Sequence, residues 1–362
     1  MERVAQALRM RPARAGQEGP PPGRVSVVIP CFNYAPYLQD AVDGALAQRG
    51  AIVDVVIVDD ASTDGSWQVA QRLEQASGRI TALRHTANRG PVATFNDGVA
   101  AATGDFIIRL DADDLLTPGS VARALALFHA FPSVGLVYGH PVHFSGAPVP
   151  GYRGRCRSWS VWPGAEWLAR RCASAVNVIT APEAMMRTSA LDAAGPFQRE
   201  LRHTHDFELW LRLAAVSDVG HVDGADQAWH RIHPGSLSSS VAPLEDLGER
   251  RAAFDALFGH GGPRIDNGSE LAAQARTALA REAVTLACRE YDRGRGELAA
   301  AAGFVHAARE LVPDPTGLPG WSGLERRMRG RPPGRTLSLL PRLSRRVRTQ
   351  LRAAAWRYRG VM

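Results

Sequence analysis

The sequence predicts an α/β fold: a mostly parallel central sheet flanked by helices, followed by a mainly helical C-terminal extension. Three observations carry this. Short β-branched runs recur along the first third of the 362-residue chain and alternate with stretches of helical period. Each run ends in small or polar residues, as strands buried on both faces do. From Leu247 onward the apolar positions recur almost entirely at helical spacing.

Taken in order, residues 1–24 are rich in Arg, Pro and Gly and show no sustained period, so a mobile arm is expected before order begins at Val25. Val25–Ile29 and Ile52–Val58 read as strands, and Tyr37, Leu38, Val42, Ala45 and Leu46 between them share a helical face, which makes a β-α-β unit. A helix is expected near Ser66–Gln75, a strand near Ile80–Arg84, a helix near Val92–Ala102 and a strand at Phe106–Leu110. Pro118 reads as a first-turn proline opening a helix that runs to about Phe131. After Val137-Tyr138 the pattern loosens into a stretch rich in Pro, Gly and Trp, read as a variable region shaping a pocket for a second substrate.

Helical signals return at Ala165–Ala173 and Phe207–Ala215. Two long periodic segments, Glu270–Arg293 and Arg295–Leu311, join near Gly296 and vaguely resemble one tetratricopeptide-like hairpin, whose expected role is packing against the body. The chain is therefore divided into an arm (1–24), an α/β domain (25–245), a helical extension (246–322) and an Arg-rich amphipathic tail (323–362).

Composition removes several function classes. With 45% hydrophobic and 22% charged residues the chain has material for a core, which excludes wholesale disorder. No run reaches the roughly 18 apolar residues of a membrane span, and the N-terminal arginines lack a signal-peptide core, so a cytoplasmic location is expected. Cys31, Cys156, Cys172 and Cys288 form no C-x-x-C pair and read as reduced thiols. Lysine is absent, so all 43 basic residues are arginine, and P-loop or Schiff-base chemistry is excluded. From Glu325 onward twelve arginines face one acid, a net +11 against +7 for the whole chain, so the remainder carries −4. The basic character belongs to the tail, and a nucleic-acid-binding body is not expected.

Four polar clusters could carry chemistry. Asp59 and Asp60 are adjacent at a strand end and face opposite sides, so one can meet a ligand while the other caps the next turn; both could equally be turn residues. Asp111-Ala112-Asp113-Asp114 places three acids in four residues, which repel unless a cation or hydrogen-bond donors compensate them; a solvated acidic turn is the alternative. Asp206, after His205 at the start of an amphipathic helix, is either a cap or a general base. His233, before Pro234 and Gly235, is either a metal ligand in a turn or a surface histidine.

In this order the residues resemble the family 2 glycosyltransferases of the GT-A fold. The resemblance covers roughly Val25 to Ser240 and rests on Val27–Asn33, Val58–Gly65, Asn88-Arg89-Gly90, Gly104-Asp105, Asp111–Asp114, His205-Asp206 and Arg231-Ile232-His233. It implies a nucleotide-sugar donor, with a UDP-sugar expected, bound across the carboxyl ends of the first strands. Pro30, Cys31, Phe32 and Asn33 match the base-binding loop and Asp60 the acid that reads the base; Asn88, Gly90 and Ala112 are carried over as further donor contacts. Asp111 and Asp113 match the D-x-D motif, Asp113 holding Mn²⁺ or Mg²⁺ and Asp111 the ribose or the metal. Asp114 supports the loop or binds sugar, and His233 completes the metal site. Asp206 matches the catalytic base of an inverting displacement.

Two departures matter. The family often has Glu where this chain has His205, which bears on acceptor contacts or on the pKa of Asp206. No Q-x-x-R-W motif is present, so a non-processive enzyme adding one sugar is expected in glycan, glycolipid or surface-polymer synthesis; a catalytically silent GT-A scaffold is the alternative. In the tail, Leu340, Leu343, Val347, Leu351, Ala354 and Tyr358 fall at steps of three or four among arginines, with Trp356 near the end. That pattern suits either a peripheral helix on the anionic inner face of a membrane, with a lipid-linked acceptor, or a helix docked on the body.

Overall fold

The computed structural model describes residues 8–11, 23–147, 149–198, 200–233, 235, 241–259, 262–294 and 299–330. In chain order the elements begin with β1 (Leu8–Met10), β2 (Arg24–Cys31), α1 (Ala35–Leu46), β3 (Ile52–Asp59), α2 (Ser66–Ala76), β4 (Ile80–Arg84), α3 (Gly90–Ala101) and β5 (Phe106–Arg109). They continue through β6 (Leu115–Leu116), α4 (Ser120–Ala130), β7 (Val134–Phe144), β8 (Ser158–Trp162), α5 (Gly164–Ser174), β9 (Met185–Arg187) and α6 (Thr188–Ala194). The last are α7 (His205–Val216), β10 (Asp218–Arg231), α8 (Pro243–Phe258), α9 (Gly268–Asp292), α10 (Ala299–Leu311) and α11 (Trp321–Met328).

One sheet runs β1-β8-β10-β7-β9-β5-β2-β3-β4, with β6 on β10. Strands β5, β2, β3 and β4 are mutually parallel, so Arg109, Cys31, Asp59 and Arg84 end on the same edge. The β-branched runs form strands because both faces are covered. Val25, Val27, Ile29, Val55 and Ile57 enter the apolar cluster under α1, α2 and α4, while Val28, Val56 and Val58 enter the cluster on the opposite face. That second cluster continues through α5 and α7 into α8–α11, so the C-terminal helices share their core with the α/β body.

Three readings from the sequence change. The first 24 residues are not an unstructured arm throughout, since Leu8–Met10 pairs antiparallel with Trp159–Val161 at the sheet edge and β2 already begins at Arg24. Pro118 precedes the left-handed N-cap Gly119 and does not lie in the first turn of α4. The stretch after Val137-Tyr138 is strand at both ends, because β7 runs to Phe144 and β8 covers Ser158–Trp162, and farther along the chain β10 spans 14 residues. Its buried polar side chains hide the strand pattern, yet each finds partners: Asp223 accepts from Ser158 (2.7 Å) and Ser160 (2.9 Å), and Asp226 accepts from the Arg153 amide (2.7 Å) and pairs with His140 (3.0 Å). The tail beyond Gly330 and the Gly296 junction lie outside the described residues.

Helix α7 is buried nearly all round, its few buried polar side chains being paired. Its Arg212 closes an i,i+4 pair with Glu208 (2.6 Å) and donates to the carbonyls of Gly195 and Pro196, which fixes the chain leading into the helix. Helix α5 packs against α7 at Gly164, where an added Cβ would meet the carbonyl oxygens of Ala214 and Ser217 at 2.1 Å. Backbone cannot yield there. Gly164→Ala is expected to destabilise the protein by about 3 kcal/mol, read as a lower urea midpoint at unchanged slope.

Candidate functional site

The carboxyl ends of β2, β3 and β5 open into a cavity of about 820 Å³. Pro30, Cys31, Phe32 and Asn33 line it from β2, with Phe32 exposed at its mouth. The following loop is stapled down. Asn33 takes a left-handed φ of 61°, its side-chain oxygen accepts from the Thr63 (2.8 Å) and Asp64 (3.3 Å) amides, and its own amide donates to Ser62 Oγ (3.0 Å). Asn33 thus shapes the cavity floor with its side chain already engaged. Burial pushes the Cys31 thiol up to about 12, so it is an apolar wall at neutral pH.

The adjacent carboxylates of β3 do face opposite ways. Asp59 is fully buried against Arg84 (3.2 Å), while Asp60 lines the cavity. Asp60 accepts from the amides of Arg89 and Gly90, each at 2.8 Å, and pairs with His85 (2.7 Å). His85 in turn reaches Asp97 (3.0 Å), which also meets Arg89. Asp60 therefore anchors the Asn88–Gly90 turn that opens α3; Gly90 has φ 83°, a conformation suited to glycine, and its amide also donates to Asn88 Oδ1 (3.1 Å).

The acidic turn after β5 splits three ways. Asp111 is partly exposed in the cavity, and one of its oxygens accepts from Arg109 Nε (3.1 Å) and Nη2 (3.0 Å). Asp113 meets His233 Nε2 at 2.9 Å, and burial followed by the charge of Asp111 raises its pKa. Asp114 does not reach the cavity. It is buried beneath the turn, where the Arg231 amide (2.7 Å) and His230 (2.9 Å) occupy both its oxygens, so a donor contact by Asp114 is replaced by a bracing role. Burial alone would lower His230, but the hydrogen bond and charge of Asp114 outweigh it and raise His230 to about 9, while burial raises Asp114 in turn, so the pair holds a proton between them. Ala112 lines the cavity between the two forward acids.

Asp111, Asp113 and His233 are not gathered as one three-ligand set; among the described residues no group of three or more His, Cys, Asp or Glu side chains is placed to hold a metal. One oxygen of Asp111 is held by Arg109 instead. What remains is one carboxylate and one imidazole facing open cavity. That donor set fits a hard divalent cation that keeps water and takes its remaining oxygens from a phosphate ligand.

Across the cavity stands Asp206, in the first turn of α7 and behind the N-cap Thr204. One of its oxygens accepts from the Phe207 amide (2.6 Å) and the other faces Asn177 Nδ2 at 3.4 Å. Burial raises its pKa against the opposing charge of Arg109. The wall is completed by residues that sequence reasoning missed: Asn177 after α5, and Asp246 and Arg250 on α8. Arg250 bridges Asp246 (2.7 Å) and Glu282 (2.8 Å). In the sequence this i,i+4 charge pair looks like a solvated helix face. Arg109, by contrast, was within reach, as the residue at a strand end directly before the acidic turn.

Residues 26–194 match the model of the family described as glycosyl transferase family 2. An uncharacterized glycosyltransferase of Nostoc sp. is 41% identical over 116 residues, 32% of this chain and 36% of that protein. The succinoglycan biosynthesis protein ExoU of Rhizobium meliloti is 38% identical over 105 residues, 29% and 30% of the two chains. The chain thus spans about a third of the length of these relatives. Among solved structures, residues 1–349 of S. aureus TarS in complex with UDP-GlcNAc superpose with a TM-score of 0.58 at 17% identity, covering 80% of each chain. Mannosyltransferase PcManGT from Pyrobaculum calidifontis, in complex with GDP-Man and Mn²⁺, gives 0.52 at 22%, again covering 80% of each. At these identities the likeness is one of fold.

Proposed function

We propose that this chain, whose residues 26–194 match the model of glycosyl transferase family 2, is a non-processive, inverting transferase that moves one sugar from a nucleotide sugar to a hydroxyl acceptor. The observation that carries this reading is the single cavity that holds Asp60, Asp111 and the Asp113–His233 pair on one wall and Asp206 on the other. The nucleotide lies over Pro30–Asn33 with Phe32 against the base. The free oxygen of Asp111 accepts from a donor hydroxyl.

A divalent cation held by Asp113 and His233 would offset the charge that develops on the leaving diphosphate; one such fold neighbour was solved with GDP-Man and Mn²⁺. Asp206 takes the proton of the acceptor hydroxyl as that oxygen bonds to the anomeric carbon. The bond from that carbon to the diphosphate oxygen breaks from the opposite face, and the electron pair leaves with the nucleoside diphosphate. One displacement inverts the anomeric configuration. UDP is proposed as the nucleotide, and a glycan or lipid-linked intermediate of a surface polymer as the acceptor, in keeping with the succinoglycan protein among the relatives. Among the described residues no helix is long and apolar enough to cross a membrane. The arginine-rich tail, read from its sequence, is proposed to hold the enzyme on an anionic membrane surface.

The test is a thermal-shift panel of UDP-, GDP-, dTDP- and CMP-sugars, each with Mn²⁺, Mg²⁺ or EDTA. A ligand at a hundred times its Kd stabilises the native state by about 2.7 kcal/mol, a rise of about 5 °C. One nucleotide class is expected to give that rise with metal and to lose most of it in EDTA. A folded protein shifted by none of them overturns the proposal.

A further inference from the structure

Arg109, in the cavity wall, bonds both to Asp111 after β5 and to His205 at the start of α7. Its guanidinium is buried and lies near the rings of Phe95 (5.9 Å) and Phe197 (5.7 Å), which themselves meet edge to face. All three nitrogens are used: Nε and Nη2 on the same oxygen of Asp111, and Nη1 on His205 Nε2 at 2.6 Å. A guanidinium only donates, so His205 Nε2 must be the acceptor and carry no proton. The ring proton then sits on Nδ1, where the Arg202 carbonyl lies 3.2 Å away to receive it. Both contacts demand the same neutral tautomer.

We propose that Arg109 is a positioning residue that ties Asp111 on the donor wall to the turn carrying Asp206, with neutral His205 as its fixed acceptor. The proposal rests on the reading of Asp206 as base given above. A carboxylate at position 205 would cancel the charge of Arg109 from that side. The neutral imidazole holds the guanidinium without cancelling it, and Asp111 is left as its one anionic hydrogen-bond partner. The charge of Arg109 opposes the rise that burial imposes on the proton affinity of Asp206. The other charged or titratable groups that face Asp206 are Asp111 after β5 and His203 before α7. Asp246, hydrogen-bonded to His203, and Arg250 stand on the α8 wall of the same cavity. Burial and the Arg109 charge both hold His205 well below the ordinary histidine range.

The test needs no substrate. In the full chain, ¹⁵N NMR of the histidine rings is expected to find His205 as the Nδ1–H tautomer, without protonation between pH 5 and 8. Carbonyl ¹³C NMR is expected to show the proton affinity of Asp206 rising about tenfold in Arg109→Gln and staying within threefold in Arg109→Lys, which keeps the charge. His205→Gln, whose amide oxygen can accept from Nη1, should leave Asp206 within threefold of its native affinity. An Nε2–H tautomer, a His205 that titrates near 6.5, or an Asp206 unmoved in folded Arg109→Gln overturns the proposal. Should Arg109→Gln not fold, the tautomer and the Lys and Gln variants decide. Transfer activity that survives in Asp206→Asn would instead overturn the base assignment, and would leave the NMR result standing.

Discussion

Asp206→Asn is expected to lower the transfer rate about 10³-fold while nucleotide-sugar stabilisation of the protein persists. The amide keeps the size of the side chain and can still accept from the Phe207 amide, so α7 keeps its first turn. What is lost is an oxygen able to take the acceptor proton. The same group sets the acid side of the pH profile. Burial raises the pKa of Asp206 above 3.8, so as pH falls the carboxylate protonates, and loses its basicity, earlier than an ordinary aspartate would. The acid limb of kcat/KM is therefore expected above the usual aspartate range and should be absent from the residual activity of the Asn variant. A pH–rate series on both proteins, with the donor found in the thermal-shift panel, reads this directly.

Asp113→Ala is expected to be the second severe lesion, but of a different kind. It removes the carboxylate facing His233 and leaves one imidazole, too weak a set for a hard cation. Metal-dependent donor stabilisation should vanish and transfer should fall by about 10² or more, with KM for the donor rising, which Asp206→Asn is not expected to cause. Calorimetry with the donor nucleotide in Mn²⁺ and in EDTA separates the two. In the Ala variant the traces with and without metal should coincide.

The parallel half of the sheet was legible because its strands are simple in composition. Val25–Ile29 and Val55–Val58 are buried on both faces and say so residue by residue. Strand β10 was not legible, since Asp218, His221, Asp223, Asp226 and His230 look like a loop until their partners on β7, β8 and the acidic turn are known. Pair satisfaction across a sheet is a three-dimensional property that leaves no local period. The candidate site divides similarly. Asp60, Asp111, Asp113 and Asp206 stand at strand ends or a helix start, where spacing marks them. Asn177, Asp246 and Arg250 join the cavity through helix packing, which no single segment encodes. Asp114 reads like its neighbours in sequence and differs only in the direction it faces.

The Asn33 staple has a thermodynamic consequence. Its hydrogen bonds to the segment 62–64, together with those from Tyr34 to Ser66 (2.9 Å) and from Ala35 to Asp64 (3.1 Å), mean that the cavity floor, on which the nucleotide base is proposed to lie, is already ordered before any ligand arrives. The loss of chain freedom was met during folding and is not charged again on association. Nucleotide recognition on this side should therefore resemble a rigid dock, with a small entropic penalty, a heat-capacity change set mainly by the covered apolar area around Phe32, and an encounter rate insensitive to solvent viscosity beyond diffusion.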